Sequence, residues 1–429
     1  MQCRIPYGSA WINFAIPDKS LLFNGEMAVL PPLPDLEEAV LQSLDHPLGT
    51  PPLCDLARGK RDILFLIEDS TRTTPLHRIL PVVADYLNRC GVPDSAMSCL
   101  TAPGTHRLMT DAEIEAKVGA EIKARLKIFQ HDATATHEIE DIGTIHVGDC
   151  RIPVHINRRV LAADLLVGLG NIVPHCDAGF SGGAKILQPG VCDFVTTAAT
   201  HAAAAFCSDI PLGLLEHNPC REGMEAVASK VGLGFIINVV KNCSDEVVGL
   251  FSGDFVEAHR AGAALSVRSF KVEIPRRADI VVISSSPADL DYWQAGKGVT
   301  TSYFAVREGG IVILAAPCPE GLAHNHPRLK EWLALPLHEI LRRLRNFDPE
   351  DTDADVIAAV IASCNSRARE RAQIFVVSDG LSEEDVKALG FTRFRSVQSA
   401  LDEALAQRPG ASIGVIPRGG IALPIVTPN

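Results

Sequence analysis

Apolar positions along the chain fall into two patterns, short continuous runs and stretches spaced by three and four. Ile63 to Ile67 is a continuous run, as in a strand buried on both faces, and it ends at Glu68-Asp69-Ser70-Thr71. Beyond it, Leu76, Ile79, Leu80, Val83 and Leu87 fall on one face of a helix predicted over 75–90, with Pro75 suited to its first turn. Thr110-Asp111-Ala112-Glu113 has the spacing of a capping box and opens another helix. Runs at 126–130, 164–169 and 235–240 read as strands, and an Ala-rich helix is predicted around 196–207. Such alternation implies a mostly parallel sheet with crossover helices.

The pattern restarts near residue 275, with strands at 280–284, 311–315, 374–378 and 412–416 and helices at 329–345, 354–371 and 397–406. The stretch 270–277, with Pro275 and two arginines, reads as the linker. The expected class is therefore α/β: two α/β domains with mostly parallel sheets and the active site in the cleft between them. Residues 1–272 form the first domain and 273–417 the second, with the tail 418–429 returning to the first. Ligands in open α/β sheets sit beyond the carboxyl ends of strands, so polar clusters just after strands are the ones to weigh.

Composition narrows the function. A net charge of −12 argues against a general affinity for nucleic acid or anionic membranes. No apolar run reaches membrane length, and no signal peptide is visible after Met1, so a cytoplasmic location is expected. Twelve cysteines without a C-x-x-C pair read as reduced thiols, not as a disulfide framework or a zinc site.

Five clusters carry candidate chemistry. In Asp69-Ser70-Thr71-Arg72, the Arg72 fork suits a carboxylate, and Asp69 is placed to orient it. In Gly104-Thr105-His106-Arg107, a loop histidine suits acid/base work. The richest cluster is Pro174-His175-Cys176-Asp177-Ala178-Gly179-Phe180-Ser181-Gly182-Gly183-Ala184-Lys185, where glycines precede a lysine able to bind phosphate or form a covalent bond. His201 lies in the Ala-rich helix, where small neighbours leave room for a bulky group. Gln294 and Lys297 are three apart, so on a helix start they share a face. Each cluster alone also fits a structural role: a cap, a turn or a solvated charge. Gly179-Phe180-Ser181-Gly182-Gly183 matches G-x-S-x-G formally, but its strand ends near Gly170, too early for a nucleophile elbow. His131, His137, His324 and His326 have no metal-site spacing.

Together these clusters, in this order, resemble the lactate racemase family over about residues 60–420, most specifically at Gly182-Gly183-Ala184-Lys185 and its flanks. The resemblance implies a nickel-dependent racemase or epimerase of a 2-hydroxyacid. Its cofactor would be a nickel-pincer nucleotide, pyridinium-3,5-bisthiocarboxylic acid mononucleotide with Ni(II), covalently linked to Lys185. His201 would be the one protein ligand to nickel, and His106 and His175 the two acid/base groups. Arg72, supported by Asp69, would hold the substrate carboxylate, while Gln294 and Lys297 would hold its reacting oxygen. Gly182 and Gly183 are read as admitting the cofactor phosphate. Arg107 or Lys297 could meet a second substrate carboxylate. Dedicated cofactor-maturation proteins are implied as partners. Three alternatives stay open: a serine hydrolase using Ser181, a nickel-pincer nucleotide binding protein without turnover, and cofactor-free two-base racemisation.

Overall fold

In the computed structural model of the protein, which describes residues 1–323, 326–348, 351 and 354–427, the strand–helix alternation folds into two α/β units. His324 lies outside the described residues. Among these residues there are two six-stranded sheets. The first runs, edge to edge, Val247–Gly253, Phe235–Lys241, Leu165–Asn171, Ile63–Ile67, Met97–Thr101 and Lys127–Gln130, with the Val247–Gly253 edge strand antiparallel to its neighbour and the rest parallel. The second is parallel throughout: Thr392–Arg393, Ala372–Val377, Val306–Ala315, Ala278–Ser284, Ile413–Ile416 and Leu21–Asn24.

The continuous apolar runs follow from burial on both faces. Ile63, Phe65 and Ile67 pack into one core with the helix Leu76–Arg89, while Leu64 and Leu66 point into a second core on the opposite face. Ile280 and Val282 divide from Val281 and Ile283 in the same way in the second sheet. The helix Asp111–Arg125 opens with the expected capping box, Thr110 and Glu113 each accepting from the other's backbone N–H.

Four expectations are corrected. Residues 1–24 belong with the second sheet, not with 25–272: Leu21–Asn24 pairs with Ile413–Ile416, and Ile5, Phe14 and Ile16 are buried against Ile280, Ile313 and Val415. The edge of the second sheet needs a partner strand, and a distant N-terminal segment supplies it. The stretch read as a linker contains the strand Lys271–Ile274, which pairs in parallel with Leu423–Val426 of the tail. The helix expected over 329–345 is two, Leu329–Leu333 and Leu337–Arg345, because Pro336 interrupts it. Finally, Cys54 and Cys90 form a disulfide. They lie 36 positions apart, but the packing of their two helices brings their Cα atoms to 5.6 Å. The other ten cysteines are free. Among the described residues no helix is long and apolar enough to cross a membrane.

Both sheets reverse their strand order once. In the first, Ile63–Ile67 leads to one side through Met97–Thr101 and to the other through Leu165–Asn171. In the second, Ala278–Ser284 has Val306–Ala315 on one side and Ile413–Ile416 on the other. A crevice opens at each such reversal, beyond the carboxyl ends of the strands.

Candidate active site

The candidate residues sit at these two crevices. Asp69 and Arg72 follow Ile63–Ile67, His106 follows Met97–Thr101, and His175 and Lys185 follow Leu165–Asn171. Gln294 and Lys297 follow Ala278–Ser284 in the second unit. The crevices face each other: one small cavity is walled by His175 and Cys176 from the first unit, Lys297 and Thr300 from the second, and Gly420–Ala422 of the tail.

In the first loop, Asp69 does not orient Arg72 as expected. Its Oδ2 lies 2.7 Å from His106 Nδ1, and its Oδ1 accepts from the Thr71 N–H at 3.1 Å and hydroxyl at 2.6 Å. Burial raises the pKa of Asp69, but the hydrogen bonds from His106 and Thr71 and the charge of Arg72 outweigh it, so the carboxyl is held below its ordinary value. A carboxylate on Nδ1 fixes the proton there and leaves Nε2 of His106 as the basic nitrogen. Arg72 Nη1 makes two long bonds, to the Thr71 carbonyl at 3.4 Å and hydroxyl at 3.3 Å.

Unforeseen in the sequence is the buried pair beneath this loop. Glu68 Oε1 accepts from Lys117 Nζ at 3.0 Å and from the Thr74 N–H at 3.0 Å, and Lys117 also donates to the Arg72 carbonyl at 2.7 Å. Glu68 Oε2 accepts from the Asn171 N–H at 3.2 Å, tying the two loops of the crevice together. Lys117→Met leaves a buried carboxylate without its cation. We expect it to destabilise the protein by about 3–5 kcal/mol, read from chemical denaturation.

The 174–185 segment is a short hairpin, Pro174–His175 against Gly179–Phe180, followed by the 3-10 turn Gly183–Ile186. Arg221, fully buried on the helix Pro219–Val231, donates to the carbonyls of Ala178 at 3.1 Å, Gly182 at 3.4 Å and Phe180. No local pattern announces Arg221, because its partners lie some forty positions away. Gly182 and Gly183 both have positive φ, 74° and 60°. A Cβ on Gly182 would stand 2.8 Å from Asn238 Oδ1 and Ile172, and one on Gly183 2.8 Å from the His259 ring. The Gly183 N–H already donates to Asn238 Oδ1 at 2.7 Å, so it is not free for a phosphate. The positive φ and the close neighbours of both positions leave no room for a side chain there. Ser181 is likewise committed: its hydroxyl donates to the Asn171 carbonyl at 2.8 Å and accepts from the Val173 N–H at 3.0 Å, and His259 meets its carbonyl, not its hydroxyl. That arrangement removes the serine-hydrolase alternative, which needs a base on Oγ.

The catalytic candidates converge electrostatically. His175 is pushed well below the ordinary histidine pKa by burial and then by the charges of Lys185, Lys297 and Arg72. Its Nδ1 accepts from the Asp177 and Ala178 N–H groups at 3.2 and 3.4 Å, so the neutral ring carries its proton on Nε2. Lys185 and Lys297 are each lowered to about 8, by burial first and the Arg72 charge second. Lys297 Nζ donates to Gln294 Oε1 at 2.7 Å on the helix Tyr292–Ala305, where the two share a face. His201 is 7% exposed and donates from Nδ1 to the Thr197 carbonyl at 2.8 Å, which leaves the Nε2 lone pair for another partner. Asp177, quoted in the sequence without a role, brings negative charge into this cluster, where it acts on Lys185, His201 and Lys297. Ligand atoms of His175, Cys176 and Asp177 lie within 4.8 Å of one another. They do not suit a resident metal, since His175 Nδ1 is occupied by two N–H groups and burial holds Cys176 as a thiol. Arg107 is paired with Glu113 at 2.6 and 2.8 Å on the surface.

Residues 7–210 match the family model of the lactate racemase N-terminal domain, and residues 274–424 that of the lactate racemase C-terminal domain. Over 97% of both chains, the protein is 30% identical to a lactate racemase of Thermoanaerobacterium thermosaccharolyticum. This chain belongs to the lactate racemase family. Over 89% of both chains it is 31% identical to a lactate racemase of Lactiplantibacillus plantarum. The solved structure of the T. thermosaccharolyticum lactate racemase apoprotein superposes with a TM-score of 0.88, covering 99% of this chain and 100% of that one. Lactate racemases are isomerases, and the family implies a nickel cofactor. His201 fits such a metal: it is a buried imidazole whose Nδ1 is spent on a carbonyl, leaving the Nε2 lone pair as a donor.

The buried histidines predict how the fold answers to acid. His259 is pushed well below its ordinary pKa by burial and the Arg221 charge, and burial lowers His131. Below pH about 6.5 the unfolded chain therefore binds protons that the folded chain refuses. Their stability contribution is complete above that pH and is lost as pH falls through it. Denaturation midpoints measured from pH 7 to 5 should fall, and His259→Gln should flatten the slope.

Proposed function

We propose that the protein racemises or epimerises a 2-hydroxyacid, lactate or a related 2-hydroxy carboxylate, with a nickel-pincer nucleotide tethered to Lys185. The observation that carries this reading is that His175 of one crevice shares a cavity wall with Lys297 of the other, near enough to Lys185, Arg72 and His201 to feel their charges. At pH 7 about a tenth of an amine with a pKa of about 8 is neutral, far more than of an ordinary lysine, and that fraction is the nucleophile that could be tethered. Competitive labelling of the cofactor-free protein should titrate Lys185 and Lys297 near 8, against about 10.4 for surface lysines.

The residues divide the work. Arg72 presents its planar fork to the substrate carboxylate. His106, with Nδ1 held by Asp69, takes the hydroxyl proton of one enantiomer at Nε2. His175 is the acid/base group for the other side, working through Nε2; taking a proton there would require the ring's own proton to sit on Nδ1, in place of the contacts from the Asp177 and Ala178 N–H groups. Lys297, steadied by Gln294, holds the substrate oxygen as it becomes a ketone. When bound, the nickel-pincer group supplies an acceptor for the Cα hydrogen together with its electron pair. A planar 2-ketoacid would then lie between the two acid/base groups, open to return of that hydrogen on either face. Maturation proteins that make and load the group are the implied partners.

Isotope retention tests the reaction. A substrate deuterated at Cα should keep its label through inversion in ordinary water. Loss of the label to solvent at the rate of inversion would favour two-base deprotonation instead. Cofactor binding without inversion of any 2-hydroxyacid would favour the binding-protein alternative.

A further inference from the structure

We propose that Ile421, on the turn of the C-terminal tail, sets the upper size of the substituent that a substrate carries on its reacting carbon. The inference rests on the racemase reading and adds a specificity-determining residue to it. Ile421 lines the cleft cavity together with His175 and Lys297, so a substrate held between those two groups lies within its reach. Core packing does not account for its residue type. Its neighbours Ala422 and Leu423 are each buried in a core, whereas Ile421 is half-buried and, among the described residues, belongs to none. A large apolar side chain that supports no core and faces a catalytic cavity is a wall of that cavity.

The turn is fixed on both sides. The Gly419 N–H donates to the Ser284 carbonyl at 2.7 Å, at the carboxyl end of the strand Ala278–Ser284. The Thr301 hydroxyl donates to the Gly419 carbonyl at 2.7 Å and reaches the Ala422 carbonyl at 3.4 Å, which brackets Ile421. A Cβ on Gly420 would collide with the Ser285 carbonyl, so backbone packs directly on backbone there. Beyond the turn, Leu423 is buried with Ile172 and Phe180 of the first unit. A wall anchored in this way yields only at a cost, and it limits size where a loose tail would not.

Elimination assigns the group that meets it. Of the four substituents on the reacting carbon, the racemase reading gives the carboxylate to Arg72, the oxygen to Lys297 and the hydrogen to the cofactor. The fourth is the variable side chain. The uncharged part of the wall is left for it: Ile421 and Ala422 from the tail and Leu212 from the first unit. A methyl group fits against such a wall, and each further methylene has to displace it.

The test measures inversion of lactate, 2-hydroxybutyrate and 2-hydroxyhexanoate by cofactor-loaded enzyme, wild type beside Ile421→Ala and Ile421→Leu. Wild type should favour lactate over 2-hydroxyhexanoate in kcat/KM by about tenfold or more, the scale on which apolar pockets separate substrates by size. Ile421→Ala should lower that ratio by about tenfold, while Ile421→Leu, similar in volume, keeps it. Thermal midpoints should stay at the wild-type value, because Ile421 supports no core. Dissociation constants of pyruvate and 2-oxohexanoate, measured by calorimetry on the same proteins, should shift in parallel and read the wall without turnover. An Ile421→Ala enzyme that keeps the wild-type ratio overturns the proposal, as does one whose rates with all three acids fall by one common factor. If wild type inverts none of the acids, the racemase reading fails with it; if it inverts all three equally well, only the role of Ile421 fails.

Discussion

Cofactor-loaded His175→Asn protein is expected to invert both enantiomers about 10²–10⁴-fold more slowly, the usual span for loss of a general acid/base. Nickel content and thermal midpoint should stay at wild-type values, because among the described residues the ring's hydrogen bonds are two long ones, from the Asp177 and Ala178 N–H groups. The structure makes His175 and His106 unequal. His106 is half-exposed and fixed by Asp69, whereas His175 is enclosed and surrounded by the charges of Lys185, Lys297 and Arg72. Asp69→Asn should therefore slow the reaction through His106 by disturbing its tautomer, without weakening carboxylate binding at Arg72. Steady-state rates in both directions check this. An unchanged rate for His175→Asn would take that residue out of the chemistry.

The second large effect is expected at His201. Its Nδ1 is spent on the Thr197 carbonyl, so only Nε2 can reach a metal. Changes to groups that merely orient a metal ligand weaken binding about 10–100-fold, and removal of the ligand itself should exceed that. His201→Ala protein, co-produced with the maturation system, is expected to retain less than about a tenth of the wild-type nickel and to lose racemisation with it. Metal analysis by mass spectrometry and far-UV circular dichroism on the same samples separate loss of metal from loss of fold. Full nickel occupancy in His201→Ala would place the ligand elsewhere.

Local pattern made much of this architecture legible. The run Ile63–Ile67, the amphipathic helix Leu76–Arg89 and the Thr110 capping box are each written in a few adjacent residues. The features that sequence reasoning missed depend on contacts between distant positions. Leu21–Asn24 joins a strand nearly four hundred residues later. The disulfide Cys54–Cys90 depends on how two helices pack. Arg221 supports the Lys185 loop through backbone carbonyls, which leave no mark in residue type. At the site, residue types pointed to His106, Lys185 and His201, but not to their partners. Asp69 was assigned to Arg72 and is spent on His106 instead. The Gly183 N–H, read as open to a phosphate, is spent on Asn238 Oδ1. Asp177 carries no motif of its own, and only its burial and its charge on Lys185, His201 and Lys297 single it out.

The most direct test of the account is the intact mass and nickel content of protein co-produced with a pincer-nucleotide maturation system, wild type beside Lys185→Ala. The account predicts a nucleotide-sized adduct with bound nickel in the wild type and no covalent adduct in the variant. Wild type without adduct or nickel, while a control racemase loads normally, would contradict it.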